Sequence, residues 1–277
     1  MAIPESRQAK ALADLAERHF ITEAAVLSTC HRVEVYAVAE RFHGAVADVR
    51  HFLSELAFVP PEDFSDHLYV YYDDAAVNHL FGVAAGVDSV VVGESQILGQ
   101  VKSAWERART EGVAGPRLSA LFRHALEVGK RSRTETAVTR GPTSLSQAAV
   151  TMVEHRLGSL DGRRVVVLGA GEMGQGMACD VANIGGGAEL SVASRTGERA
   201  RRLAERVGGR AFTLSELSVA LGDADVLLTS TGASTVVVDS SDVEEALKDR
   251  AGRPLLIVDL GMPRDVDPAV GELPDVT

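Results

Sequence analysis

Helix-spaced apolar residues prevail in the first half of the chain, and short apolar strands alternating with helices prevail in the second. Ala9, Leu12, Ala13 and Ala16 recur at helical spacing with charges between them, which predicts an amphipathic helix over Glu5 to Arg18. Two strands follow. Ala24 to Ser28 is a short apolar run, and Arg32 to Val38 sets Val33, Val35 and Ala37 against Arg32, Glu34 and Tyr36 in strict alternation. His43 to Ala57 reads as a helix that ends before Pro60-Pro61, and Leu68 to Tyr72 (LYVYY) reads as a third strand. The order α-β-β-α-β is a split β-α-β unit without its opening strand. Further helices are expected over Asp74 to Ala85, from about Ser95 to Glu111, and from Pro116 to about Thr134, with GVDSVVVGES connecting the first two.

Arg140-Gly141-Pro142 breaks this pattern, so the expected domains are residues 1–141 and 142–277. Thr143 to Leu157 leads into the second domain as a helix. Strands at Val165 to Leu168, Glu189 to Ala193, Ala211 to Thr213, Val226 to Ser230 and Leu255 to Leu260 then alternate with helices, among them Ser215 to Leu221 and Asp242 to Arg250. Such alternation predicts a doubly wound parallel sheet. The expected fold class is therefore α/β: an N-terminal split βαβ-type α+β domain followed by a Rossmann-type doubly wound domain.

Candidate chemistry in the second domain sits where its first strand ends. Gly169, Gly171 and Gly174 have the G-x-G-x-x-G spacing, with Ala170, Glu172 and Met173 between them. The first glycine permits a tight turn, the second lets backbone approach a pyrophosphate, and the third lets the new helix pack on its strand with its amino end facing the anion. Where an NAD site would place an acid on the ribose 2′-hydroxyl, this chain has Ser194, Arg195 and Thr196. A hydroxyl beside a planar guanidinium suits a 2′-phosphate, which selects NADP(H). Ser230 to Ala233, after the fourth strand, would lie near the nicotinamide end.

Composition changes the picture in four ways. A chain of 277 residues, 45% apolar and 24% charged, can bury two cores. No signal peptide and no uncharged apolar run of bilayer length is evident, so a cytoplasmic protein is expected. The formal charge of −11 argues against general nucleic-acid binding, although a local basic patch could serve one RNA. Cys30 and Cys179 are too few for a disulfide framework, and no Cys/His spacing suits a metal, so each is judged as a single thiol. Cys30 falls at a strand end beside His31 and Arg32, where positive neighbours favour a thiolate. Cys179 lies within the helix after the glycine loop and is expected to pack or sit idle.

LSTCHRVEVYA (Leu27 to Ala37), GVDSVVVGESQILGQVKSA (Gly86 to Ala104), GKRSRTET (Gly129 to Thr136), the glycine loop and PRDVDPAVGELP (Pro263 to Pro274) together resemble glutamyl-tRNA reductase, in the family's order. The resemblance implies NADPH-dependent reduction of glutamyl-tRNA(Glu) to glutamate-1-semialdehyde, the first step of tetrapyrrole (porphyrin) synthesis by the five-carbon route. It implies catalytic roles for Cys30, as the thioester nucleophile, and for His79, as a general acid or polariser of the thioester oxygen. The substrate pocket implied is Thr29, His31, Arg32, Ser89, Glu94, Ser95, Gln96 and Gln100. Implied partners are glutamyl-tRNA(Glu) as substrate and glutamate-1-semialdehyde aminomutase as the receiver of product. Hydride transfer to an ester is sluggish, and a thioester is the better acceptor, so a reactive cysteine suits this chemistry.

The chain departs from the family in lacking the usual opening strand and the C-terminal helical dimerisation domain, and in having His31 for the usual Asn and Ser95 for the usual Pro. Lower stability than a complete homologue is expected of it. The basic helix ending KRSRTET could meet the tRNA acceptor stem or be a solvated face with internal ion pairs. Two other functions stay open at this point: a shikimate-dehydrogenase-like NADP oxidoreductase, in which Cys30 has no role, and a non-catalytic fragment that holds NADP(H) or tRNA.

Overall fold

Helix α1 (Glu5–Ala16) turns Ala11, Leu12 and Leu15 onto the most buried part of the chain's first half, strand β1 (Ile21–Ser28). The computed structural model describes residues 3–29, 31–184, 187–248 and 250–277, so Cys30 lies outside the described residues. Two units form, Met1–Thr143 and Ser144–Thr277.

In the first unit β1 pairs antiparallel with β2 (Val33–Ala39), placing Leu27 opposite Glu34 and Ala25 opposite Tyr36. The hairpin closes through the Thr29 amide, which donates to the Arg32 carbonyl at 2.9 Å. Both faces of β2 are covered: Val33 and Val35 pack partly against the core, yet Tyr36, on the face opposite to them, is the buried residue of the strand. Its ring meets Phe122 edge-on, with centroids 5.4 Å apart. The helices α2 (Phe42–Ala57), α3 (Pro61–Phe64), α4 (Asp74–Ala85), α5 (Gln96–Thr110) and α6 (Pro116–Glu135) complete the unit. Leu80, Val83, Ile97, Val101, Leu118 and Phe122 fill its core from the last three.

The strand expected at Leu68 to Tyr72 does not form. The segment lies outside both sheets, with Tyr69 82% and Tyr72 61% exposed. Strand propensity expresses packing on a pleated surface, and here no strand edge receives the segment. Its rings find other partners: Tyr71 stacks on His79, and Tyr72 meets Phe42 edge-on.

A long-range cap joins β1 to α6. Glu23 is buried and accepts from the Arg117 and Leu118 amides at 3.2 and 2.8 Å, satisfying donors that Gly115 offers no side chain for.

The second unit opens on α7 (Leu145–Leu157), capped by the Ser144 hydroxyl accepting from the Gln147 amide. Next come β3 (Arg164–Leu168), α8 (Glu172–Ile184), β4 (Glu189–Ala193), α9 (Gly197–Val207), β5 (Arg210–Phe212), α10 (Leu217–Asp223), β6 (Val226–Thr229), α11 (Ser240–Lys248) and β7 (Leu256–Asp259). The five strands are parallel in the order β5-β4-β3-β6-β7. Alternation along β3 serves two cores: Val165 and Val167 pack with residues of α7, α8 and α9, while Val166 and Leu168 pack with residues of α10 and α11. Both the expected helix from Ser215 and that to Arg250 shift. The first begins as a 3-10 turn over Leu214–Glu216, and the second ends at Lys248. Arg250 is instead buried at 1% exposure, where its guanidinium donates to the carbonyls of Leu221 (2.6 Å), Ala224 and Pro254 (2.6 Å), satisfying the open end of α10.

Candidate active site

Glu34 is the hub of the polar cluster in the first unit. Its Oε1 accepts from Arg32 Nη1 at 3.2 Å and lies 3.0 Å from His79 Nε2, while its Oε2 accepts from the Tyr36 hydroxyl. The strand places Arg32, Glu34 and Tyr36 on one face by its period of two, and α4 brings His79 across to it. With Nε2 donating to Glu34, the His79 ring presents Nδ1 on its other side, where Asp88 Oδ2 is 3.7 Å away, beyond hydrogen-bonding distance. Tyr71 covers the ring, stacked at a centroid distance of 4.7 Å. Burial, and then the neighbouring Glu34 charge, push the Tyr36 phenol far above its ordinary value, so it stays a neutral donor to that carboxylate.

The hairpin end is built just as tightly. Thr29 Oγ1 accepts from the His31 amide at 3.2 Å and the Arg32 amide at 3.1 Å, and Arg32 Nη2 donates to the Asp88 carbonyl. Thr29, Arg32 and His79 are thus brought together through Glu34 and Asp88. His31 is exposed at the same turn.

The remaining pocket residues lie on the approach to α5. Ser89 follows Asp88, with its amide on the Gly86 carbonyl at 3.4 Å. Glu94 has its carbonyl held by Arg133 Nη2 at 2.6 Å, and Ser95 donates its amide to the Thr143 carbonyl at 2.9 Å. Gln96 and Gln100 stand one turn apart on α5. Among the described residues no hydrogen bond joins these side chains to Glu34 or His79. On the basic helix, Arg131 pairs with Glu135 at 3.0 Å.

Glu34, Tyr36, Asp88 and Tyr71 are absent from the residues that the sequence singled out as the site. Glu34 and Tyr36 stand within LSTCHRVEVYA, so their signal was the alternation on β2; Asp88 stands within GVDSVVVGESQILGQVKSA and Tyr71 within LYVYY, but neither motif singled that residue out for the site. If the His79 ring serves in catalysis, Glu34→Gln should lower turnover about a hundredfold or more, because the carboxylate that orients that ring is lost. Steady-state rates of the variant, with its thermal midpoint as a folding control, check this.

In the second unit the glycine turn fits a pyrophosphate. Gly169 has φ +117°, and a Cβ there would lie 2.1 Å from the Ser230 carbonyl oxygen. A Cβ on Gly174 would lie 2.0 Å from the Gly169 carbonyl oxygen, so helix and strand touch backbone to backbone. Gly171 differs: nothing lies within 4 Å of where its Cβ would be, which leaves open space over the turn at the start of α8. Ala170 is buried beneath it, and Glu172 and Met173 form the first turn of α8. After β4, Ser194 is half-buried and accepts from the Thr196 amide at 3.4 Å, while Arg195 is exposed. The Thr196 side chain makes no cap bond to α9, so the first amides of that helix are open to an anion beside Arg195. Cys179 is half-buried, its sulfur accepting from Arg206 at 3.4 Å.

A glycine turn at the switch point of a doubly wound parallel sheet defines the class: a chain with a nicotinamide-dinucleotide-binding domain. Residues 1–136 match the family described as glutamyl-tRNAGlu reductase, N-terminal domain, and residues 151–277 that described as shikimate / quinate 5-dehydrogenase. The chain belongs to the glutamyl-tRNA reductase family. A curated relative, glutamyl-tRNA reductase 1 of Nocardioides sp. (strain ATCC BAA-499 / JS614), is 45% identical over 268 residues, covering 97% of this chain and 62% of the relative. Of solved structures, the glutamyl-tRNA reductase from Methanopyrus kandleri is 39% identical over 97% of this chain and 64% of its own, with a TM-score of 0.48. The nucleotide-binding domain of glutamyl-tRNA reductase from Thermoplasma volcanium is 18% identical over 49% of this chain and 86% of its own, at TM-score 0.36. No helix among the described residues is long and apolar enough to cross a membrane.

Proposed function

We propose that this chain reduces the glutamyl group of glutamyl-tRNA(Glu) to glutamate-1-semialdehyde with NADPH, through a thioester on Cys30. The observation that carries this reading is the attachment of Arg32, two positions after Cys30 and with its amide held by Thr29 Oγ1, to the same Glu34 carboxylate that orients His79. Attack of the Cys30 thiolate on the ester carbonyl forms the C–S bond and breaks the bond to the tRNA ribose oxygen, which takes up a proton. His79, held by Glu34 and covered by Tyr71, supplies it from Nδ1, which first takes up the Cys30 thiol proton as the thiolate forms; Nε2 keeps its own proton on Glu34 throughout, and solvent makes up the proton consumed in each turnover. Arg32 then faces the polar end of the glutamyl group, and Ser89, Glu94, Gln96 and Gln100 complete the amino-acid pocket with His31 and Ser95. The nicotinamide cofactor supplies a hydride for the second half-reaction. Collapse of the resulting hemithioacetal breaks the C–S bond, frees the aldehyde and returns Cys30 to its thiolate. The aldehyde would pass to glutamate-1-semialdehyde aminomutase.

Gly169, Gly171 and Gly174, with Ala170, Glu172 and Met173, would hold the pyrophosphate, and Ser194, Arg195 and Thr196 the 2′-phosphate. Arg195→Ala should weaken NADPH binding about tenfold or more while leaving NADH binding nearly unchanged, since one charge-assisted contact to phosphate is lost. Fluorescence titration with both cofactors checks this.

The whole reading is tested by incubating the protein with glutamyl-tRNA labelled in the glutamyl group, without and then with NADPH. Label on Cys30 by intact-protein mass, released as semialdehyde on addition of NADPH, is the expected result. No label on the protein and no aldehyde would overturn it.

A further inference from the structure

At the carboxyl edge of the parallel sheet, two aspartates tie the ends of β6 and β7 together. Asp259, the last residue of β7, accepts on Oδ1 from the Thr229 hydroxyl (2.7 Å) and the Gly261 amide (2.7 Å), and on Oδ2 from the amides of Asp265 (2.9 Å) and Val266 (3.1 Å). Asp265 is in turn wholly buried, and its carboxylate accepts from both the amide (2.7 Å) and the hydroxyl of Thr231. Its backbone carbonyl also takes the Val237 and Val238 amides at 2.7 and 3.0 Å. The loop after β6 is thereby fixed from below. It is also the loop that the glycine turn touches: a Cβ on Gly169 would meet the Ser230 carbonyl and, at 3.2 Å, the Thr231 Cα.

The strand order says which half of a dinucleotide this loop serves. With β4 and β5 on one side of β3 and β6 and β7 on the other, a dinucleotide lying across the β3 turn puts one nucleoside beyond each side. Ser194 to Thr196, after β4, take the adenosine half. The other half therefore lies beyond β6, against Thr231. Burying a carboxylate is costly unless donors meet it, and both donors that meet Asp265 come from Thr231, so the aspartate holds that one residue in place against the glycine turn.

We propose that Asp265, acting through Thr231 and braced by Asp259, is a positioning residue that sets the seat of the nicotinamide-ribose half of the cofactor. This rests on the NADPH reading above. Close packing enforces the arrangement: a Cβ on Gly261 would lie 2.6 Å from Asp265 Oδ2. Asp265 does not touch the cofactor itself; Thr231 and Ala233, whose amide donates to Thr231 Oγ1 at 3.1 Å, form the surface that does.

Two ligands separate this role from general support of the fold. NADP+ carries both halves, whereas adenosine 2′,5′-bisphosphate carries only the adenosine half. By calorimetric titration the unaltered protein binds both if the NADPH reading holds; binding of neither overturns that reading, and this inference with it. In Asp265→Ala, and in the milder Thr231→Val, which keeps side-chain volume, the Kd for NADP+ should rise about tenfold. The Kd for adenosine 2′,5′-bisphosphate should stay within about twofold. Asp265→Asn, which keeps one acceptor for the Thr231 amide, should recover part of the loss. Equal weakening of both ligands in Thr231→Val, or no weakening of either, would show that the aspartate is a structural tie only.

Discussion

Alanine at position 30 is expected to stop turnover by at least about a thousandfold while NADPH binding stays as it was. The thiolate is the sole group proposed to carry the glutamyl chain between the tRNA oxygen and the aldehyde. Thr29 has its hydroxyl committed to two amides, and Arg32 and Glu34 are locked to one another. Serine would not substitute well, because a hydroxyl is a far weaker nucleophile and an ester a poorer hydride acceptor than a thioester. The measurement is single-turnover transfer of labelled glutamyl to the protein, followed by cofactor titration. Retained transfer in Cys30→Ala would move the nucleophile elsewhere.

The second large effect is expected from Gly169→Ala. At φ +117° an L side chain is strained, and its Cβ would be driven to 2.1 Å from a backbone carbonyl that cannot swing aside. Relief requires β6 and its loop to separate from the glycine turn, and that separation opens the pyrophosphate site. Loss of measurable NADPH binding is expected, together with destabilisation of the second unit by about 2 kcal/mol or more. Urea unfolding with cofactor titration checks both. Gly171→Ala serves as the contrast, since its Cβ would point into open space: it should leave stability within about 0.5 kcal/mol and act on binding alone.

The two units differ in how much of them was legible. In the second, β3 and β6 follow the apolar runs closely, because a strand buried on both faces is apolar along most of its length and is not mistaken for an exposed segment. In the first, the helices were legible from their spacing, and Asp74 to Ala85 matched to the residue. The third strand was not. LYVYY has every local mark of a strand, but strand formation needs a neighbour with free hydrogen-bonding groups, and local sequence does not report whether one is there. Tyr36 shows the same limit from the other side: alternation correctly grouped it with Arg32 and Glu34, but only the position of Phe122, far along the chain on α6, buries that face.

By itself, then, the amino-acid order determined what depends on neighbours in sequence: the helix positions, the strands of the second unit, the glycine turn, the Ser194-Arg195-Thr196 run after β4, and the cysteine between Thr29 and His31. Tertiary structure alone decided what depends on residues distant in sequence. Glu34 becomes a hub because α4 delivers His79 to a carboxylate 45 positions earlier. Asp265 becomes a support because the chain after β7 returns beneath Thr231, 34 positions away. Local periodicity is written by the fixed geometry of helix and strand, whereas these carboxylates act through contacts that exist only once separate elements have packed.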